Sequence, residues 1–253
     1  MNKKFFRIIP RIDVRGENVV KGIHLEGVRK VGQPNELALK YYQGGADEIV
    51  FMDVVASLYG RNNILSTVEE AARNIFVPLT VGGGMRNVDD ITAALRSGAD
   101  KVAINTAAIA NPTFISDASK ALGSQCIVLS IEAKKRDGWW EAMTHNGREP
   151  SGRNVLDWVV EAEDLGAGEI LITSVDRDGT KKGFDCELYE SVYDRVRLPV
   201  IACGGAGSDD DVIFLAKGDC VDAICCAAIL HYGLSTLPGL KQSLAENGIP
   251  VRL

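Results

Sequence analysis

Short unbroken apolar runs alternate along the chain with stretches of helical spacing. The runs cover residues 7–14, 48–54, 78–81, 101–104, 126–132, 169–174, 199–202 and 223–226. After each, apolar residues recur at helical intervals, over 34–44, 63–75, 88–97, 112–122, 155–165, 186–193, 209–216 and 237–246. Runs without alternation mark strands covered on both faces, as in parallel sheets. Asp137-Gly138 is a turn signal, and residues 139–144 return from it as a hairpin after the fifth run. Eight strand–helix units predict an α/β fold: one closed (β/α)8 barrel, a TIM barrel, spanning 1–253 as a single domain. A doubly wound open sheet is the alternative.

The pattern also repeats internally. Leu79-Thr80-Val81-Gly82-Gly83-Gly84 leads through a helix to Lys101-Val102-Ala103-Ile104 and then Asn105-Thr106. Val200-Ile201-Ala202-Cys203-Gly204-Gly205 leads likewise to Ala223-Ile224-Cys225-Cys226 and then Ala227-Ala228. A repeat of strand, glycine turn, helix and strand predicts two duplicated half-barrels. Glycines between a strand and a helix let backbone N–H groups approach an anion. Tight turning alone accounts for one such cluster; its repetition points to two phosphate-binding turns, at Gly82, Gly83, Gly84, Asn105 and Thr106, and at Gly204, Gly205, Ala227 and Ala228.

Barrel chemistry sits at the C-terminal strand ends. Asp13 and Glu132 end strands one and five, which face each other, and so suit a general acid and base flanking one substrate. Asp53 ends the second strand, where turn capping explains a lone aspartate equally well. At the opposite end, Arg7, Glu48, Lys101 and Glu169 stand at strand beginnings with alternating sign. Such charges are costly to bury unpaired, so they read either as a structural ion ring closing the barrel floor or as a gate to a passage through it.

Composition narrows the classes. Hydrophobic residues make up 46% of the chain, enough for a sizeable core, and the net charge of −6 leaves no basic footprint for nucleic acid. No apolar run spans a bilayer, and residues 1–7 lack a signal-peptide core. The six cysteines have no metal-ligand spacing and read as reduced thiols of a cytoplasmic protein; no metal or cofactor is expected.

Taken together, Val19-Val20-Lys21-Gly22, Thr80-Val81-Gly82-Gly83-Gly84, Gly98-Ala99-Asp100-Lys101-Val102, Ile104-Asn105-Thr106, Asp176-Arg177-Asp178-Gly179-Thr180-Lys181 and Gly204-Gly205-Ala206-Gly207 resemble the HisF family, the cyclase subunits of imidazole glycerol phosphate synthase. The resemblance runs from about residue 6 to 253. It implies a HisH-like glutaminase docked on the floor, ammonia passing up the barrel, and a two-phosphate substrate at the top. It also implies catalytic roles for Asp13 and the residue at 132, substrate contacts at Asp178 and Gly179, and an ammonia gate at Arg7, Glu48, Lys101 and Glu169.

Four positions depart from the family pattern. Glu132 replaces the second catalytic aspartate, Arg11 a small residue or cysteine, and Cys203 and Ala228 two serines. A carboxylate displaced by about 1 Å can cost on the order of 10²-fold in rate. A cation beside Asp13 lowers its pKa and weakens it as a base. These departures, with Gly22-Ile23-His24-Leu25-Glu26-Gly27, residues 57–63 and Ser130-Ile131-Glu132-Ala133-Lys134, look like a HisF-related branch. That branch supplies ammonia for acetamidino modification of a nucleotide sugar in surface polysaccharide, with a separate ligase-like protein. On this reading cyclase activity is at most weak; the alternative is the histidine-pathway lyase and cyclase itself. His24 and His145 read as solvated loop residues rather than substrate contacts.

Overall fold

A computed structural model describes residues 5–56 and 64–253. Its strands are β1 (Arg7–Arg15), β2 (Asn18–Ile23), β3 (Glu26–Gly32), β4 (Ile49–Asp53), β5 (Leu79–Gly82), β6 (Lys101–Ile104), β7 (Ile127–Arg136), β8 (Trp139–Thr144), β9 (Glu149–Asn154), β10 (Glu169–Ser174), β11 (Val200–Cys203) and β12 (Ala223–Cys226). Eight of them pair in parallel in the order β10-β11-β12-β1-β4-β5-β6-β7. β7 then pairs with β10, from Glu169 opposite Val128 to Ser174 opposite Ala133. That ladder closes the ring and excludes the open sheet.

The duplication is visible in what the ring carries. β1 continues past the barrel into the antiparallel strands β2 and β3, and β7 into β8 and β9. Gly83 and Gly84 have φ of 98° and 74°, matched by 98° and 110° at Gly204 and Gly205. Asn105 and Ala227, which follow the fourth and eighth barrel strands, share an uncommon backbone conformation, φ −137°, ψ −86° and φ −124°, ψ −71°.

Four of the described helices start at a side-chain cap. Asn87, Asn154 and Thr236 side chains each accept a first-turn N–H, and Ser208 forms a capping box with Asp211. Each helix turns its apolar stripe onto the ring, so the outward-facing residues Ile8, Ile12 and Val14 of β1 join the main core. A second, separate core fills the ring itself, with Ile9, Val50, Val128, Leu171 and Ile201 among its members.

Among the described residues, six elements lie outside the predicted set: β2, β3, β9, the single 3-10 turn Ser124–Cys126 and two short helices. β3 and β9 are edge strands with mostly exposed polar residues and no apolar alternation. The helices Thr106–Ala110 and Ala228–His231 are too short to show a helical period. The start of the helix predicted over 63–75, and the motif at 57–63, lie outside the described residues; the described helix is Leu65–Ala72. No described helix is long and apolar enough to cross a membrane.

Candidate active site

Strand alternation turns every second residue into the lumen. Along β1 these are Arg7, Ile9, Arg11 and Asp13; along β7 they are Val128, Ser130 and Glu132; along β10 they are Glu169, Leu171 and Thr173. From floor to top the lumen therefore passes an ionic level, an apolar level, a polar level and a level of carboxylates.

The floor is a closed ion ring. Arg7 reaches Glu48 at 3.1 Å and Glu169 at 2.5 Å, and Lys101 reaches Glu48 at 2.8 Å and Glu169 at 2.7 Å. Thr80 Oγ1 also donates to Glu48. Every cation touches both anions, so the two glutamates can be buried without a net charge.

At the top, Asp13 and Glu132 are each about 4% exposed, and their surroundings differ. Arg11 Nε donates to Asp13 at 2.7 Å, and Lys21 Nζ stands 3.7 Å from its other oxygen. Burial alone would raise the Asp13 carboxyl, but the two cations outweigh it and hold it below its ordinary value. Burial dominates at Glu132 and pushes its pKa up to about 7 against the pull of Arg11. Among the described residues its one side-chain partner is the amide of Asn105, which donates to Oε2 and also reaches the Met143 carbonyl. Two carboxylates with separated proton affinities can divide acid and base work, one permanently ionised and one able to exchange a proton near neutrality.

A cavity of about 200 Å³ opens above Glu132 and Ser130. Gly83, Gly84, Asn105, Thr106 and Arg86 line it, so it sits on the first half-barrel's glycine turn. Gly82 lies just below, inside β5. Both turns are packed closely against backbone: a Cβ on Gly83 would lie 2.2 Å from the Asp53 carbonyl oxygen, and one on Gly205 2.1 Å from the Gly183 carbonyl oxygen. Ala227 and Ala228 contribute no hydroxyl at the second turn. Gly179 is pressed against the Gly22 carbonyl rather than lining the cavity. Asp53 accepts from the N–H groups of Val55 and Ala56, which is the turn-capping role. His24 is an exposed turn residue, while His145 is half-buried and bonds through its N–H to Thr106 Oγ1.

Sequence reasoning set no role for Lys21, which the fold makes central. It is 4% exposed and bonds both oxygens of Asp178, at 2.7 and 2.8 Å. Asp178 also accepts from the Leu25 N–H, tying the first hairpin to the loop after β10. A lysine in the middle of an apolar strand, Val19-Val20-Lys21, was the available sign. Among the described residues no cluster could hold a metal ion, and all six cysteines are free thiols.

Barrels with opposed carboxylates at the top are a large class, and the sequence narrows it. A profile of the family described as "Histidine biosynthesis protein" matches residues 7–236. A Legionella pneumophila protein named "Imidazole glycerol phosphate synthase subunit HisF" is 59% identical over 202 residues, 79% of this chain and 95% of that protein. A protein of the same name from Dehalococcoides mccartyi is 46% identical over 248 residues, 98% of both chains. The chain belongs to the HisF family and is an enzyme of the cyclase, or lyase, type. The similar relatives bear the histidine-pathway name rather than that of the sugar-modifying branch.

Proposed function

We propose that this barrel is the cyclase subunit of imidazole glycerol phosphate synthase in histidine biosynthesis, joining ammonia to the bisphosphate ribonucleotide of that pathway. The observation that carries the reading is the placement of buried Asp13 and Glu132 at one end of a lumen whose other end is a neutral ion ring. The full-length likeness to HisF proteins supports it. Glu132 exchanges the proton, and Asp13, held ionised, orients the substrate. Gly83, Gly84 and Thr106 take one phosphate, and the backbone at Gly204, Gly205, Ala227 and Ala228 takes the other. Asp178 acts through Lys21. A HisH-like glutaminase docks on the floor around Arg7, Glu48, Lys101 and Glu169.

One phosphate end is expected to bind more firmly than the other. Crystals soaked in inorganic phosphate should show an anion beside Asn105-Thr106 at lower concentration than beside Gly205. Equal occupancy, or a preference for Gly205, would contradict the assignment.

Arg11, Cys203 and Ala228 favour a second reading, ammonia supply for acetamidino modification of a sugar with a separate ligase-like protein. They place a cation against Asp13 and remove two hydroxyls from the phosphate ends. Steady-state kinetics with ammonium salt and the ribonucleotide decide between the two. A kcat/KM of roughly 10⁴ M⁻¹s⁻¹ or more, within the ordinary enzyme range, establishes the histidine-pathway reaction. Turnover at the background rate removes it and leaves the sugar-modifying role.

A further inference from the structure

Between the floor ring and the top carboxylates, the lumen is crossed by one side chain. Arg11 starts on β1, yet its Nη1 donates to Thr173 Oγ1 on β10 at 2.9 Å and lies 3.7 Å from Cys203 Sγ on β11. In the ring order, β11 and β10 are two and three strands away from β1. A side chain can span that separation only through the lumen. Arg11 is 1% exposed, one of the largest fully buried side chains described.

On the other side of β1, Met52 belongs to the core inside the ring. Its sulfur sits over Gly82, where an added Cβ would lie 2.6 Å from Sδ and 3.0 Å from the Ala103 Cβ. The cavity that opens at the top reaches Ser130 and Glu132 and stops short of Arg11. Below the guanidinium lie only the apolar level and the ion ring.

The arginine is held there incompletely. Its Nε is fixed by Asp13 and its Nη1 by Thr173, but among the described residues Nη2 is buried without a partner, as is Ser130 Oγ. A buried charged donor left unpaired costs free energy, so this conformer depends on the Asp13 contact. A substrate that engages Asp13 competes directly with that contact.

We infer that Arg11 is a stopper inside the lumen, closing the route from the floor to Glu132 and turning aside when substrate at the top engages Asp13. The inference rests on the proposed transfer of ammonia from floor to top. It makes Arg11 a positioning residue with two duties: it sets Asp13 in place while the passage is shut, and its displacement opens the passage. While seated, its positive charge also bars ammonium, as arginines do in other selective pores.

The test compares two ammonia routes in the complex with the HisH-like glutaminase. Glutamine-derived ammonia uses the lumen, whereas ammonium salt reaches Glu132 from the open top. A stopper that substrate displaces in only a minority of bound molecules at a time predicts that Arg11→Ala raises the ratio of glutamine-driven to ammonium-driven turnover, on the order of tenfold. Arg11→Lys, which keeps a cation and much of the length, should hold the ratio near that of the unaltered protein. A purely structural arginine would lower both rates together, and an unchanged ratio overturns the stopper. If the unaltered protein turns over the ribonucleotide by neither route, the proposed function fails, and the stopper is judged by nitrogen-15 NMR of the arginine side chains instead. A slowly exchanging Arg11 Nε–H at neutral pH, identified by its loss in Arg11→Lys, is expected; rapid exchange would show that the guanidinium is not seated across the lumen.

Discussion

Glu132→Gln is expected to lower kcat with ammonium by on the order of 10²–10⁴-fold, the usual worth of a positioned acid or base, while making the barrel more stable at alkaline pH. Both effects have one cause. Glutamine keeps the shape and can still accept from Asn105, but it can neither give nor take a proton. Activity of the unaltered protein should decline as pH rises through about 7, where Glu132 loses its proton, and the variant's residual activity should lack that limb. Asp13 cannot substitute, because Arg11 and Lys21 keep it ionised.

The stability effect has the opposite sign to the activity effect. The folded-state pKa of Glu132 is raised from 4.5 to about 7. The group therefore favours the fold at pH values below its unfolded pKa, and that contribution is lost as pH rises through about 7. At pH 8 and above the ionised, buried Glu132 is a liability of about 3 kcal/mol by linkage, which glutamine removes. Urea melts of both proteins at pH 5 and pH 8.5 test this. A variant that is less stable than the parent at pH 8.5 would show that Glu132 is not held against its own burial, and the acid–base assignment would fall with it.

The second large effect concerns Lys21. Lys21→Met should destabilise the barrel by about 3–5 kcal/mol, the cost of breaking a buried ion pair by removing one partner. Asp178 is 3% exposed and would be left with only the Leu25 N–H among the donors now on its carboxylate. For a chain of this size that corresponds to a Tm lower by roughly 10 °C. Pairing it with Asp178→Asn should recover much of the loss, because the second change removes the orphaned charge. A single variant that melts within about 1 °C of the parent, a shift well under 1 kcal/mol, would mean that water replaces the ammonium. Activity should fall as well, since Lys21 is the second cation on Asp13.

The eight strand–helix units were legible because burial on both faces leaves an unmistakable run of apolar residues, followed each time by a stretch of helical spacing. The duplicated glycine turns were legible because a positive φ at Gly83, Gly84, Gly204 and Gly205 restricts the residue type there. The floor charges Arg7, Glu48, Lys101 and Glu169 could be picked out for a similar reason: a charge at, or just before, the first residue of a buried strand demands a partner. In each case the constraint acts within one segment, so the segment records it.

What the tertiary structure decided depends on closure of the ring. Alternation places Arg11 on the lumen face of β1, but only the shear of a closed barrel brings Thr173 and Cys203, three and two strands away, to its guanidinium. Lys21 sits on a hairpin whose outer strand has no apolar pattern, and only the folded hairpin carries it to Asp178 and Asp13. Asn105 read as a phosphate ligand from its place after a strand; in the fold its amide is spent on Glu132. Glu132 itself was visible as a strand-end carboxylate, whereas its proton affinity was not, because burial among neighbours from other strands sets it. The sequence by itself thus determined the barrel, its repeat and which strand ends carry the carboxylates and glycine turns. Contacts across the lumen, between residues up to 192 positions apart, decided which carboxylate is held ionised and which is raised toward neutrality, and where Arg11 lies.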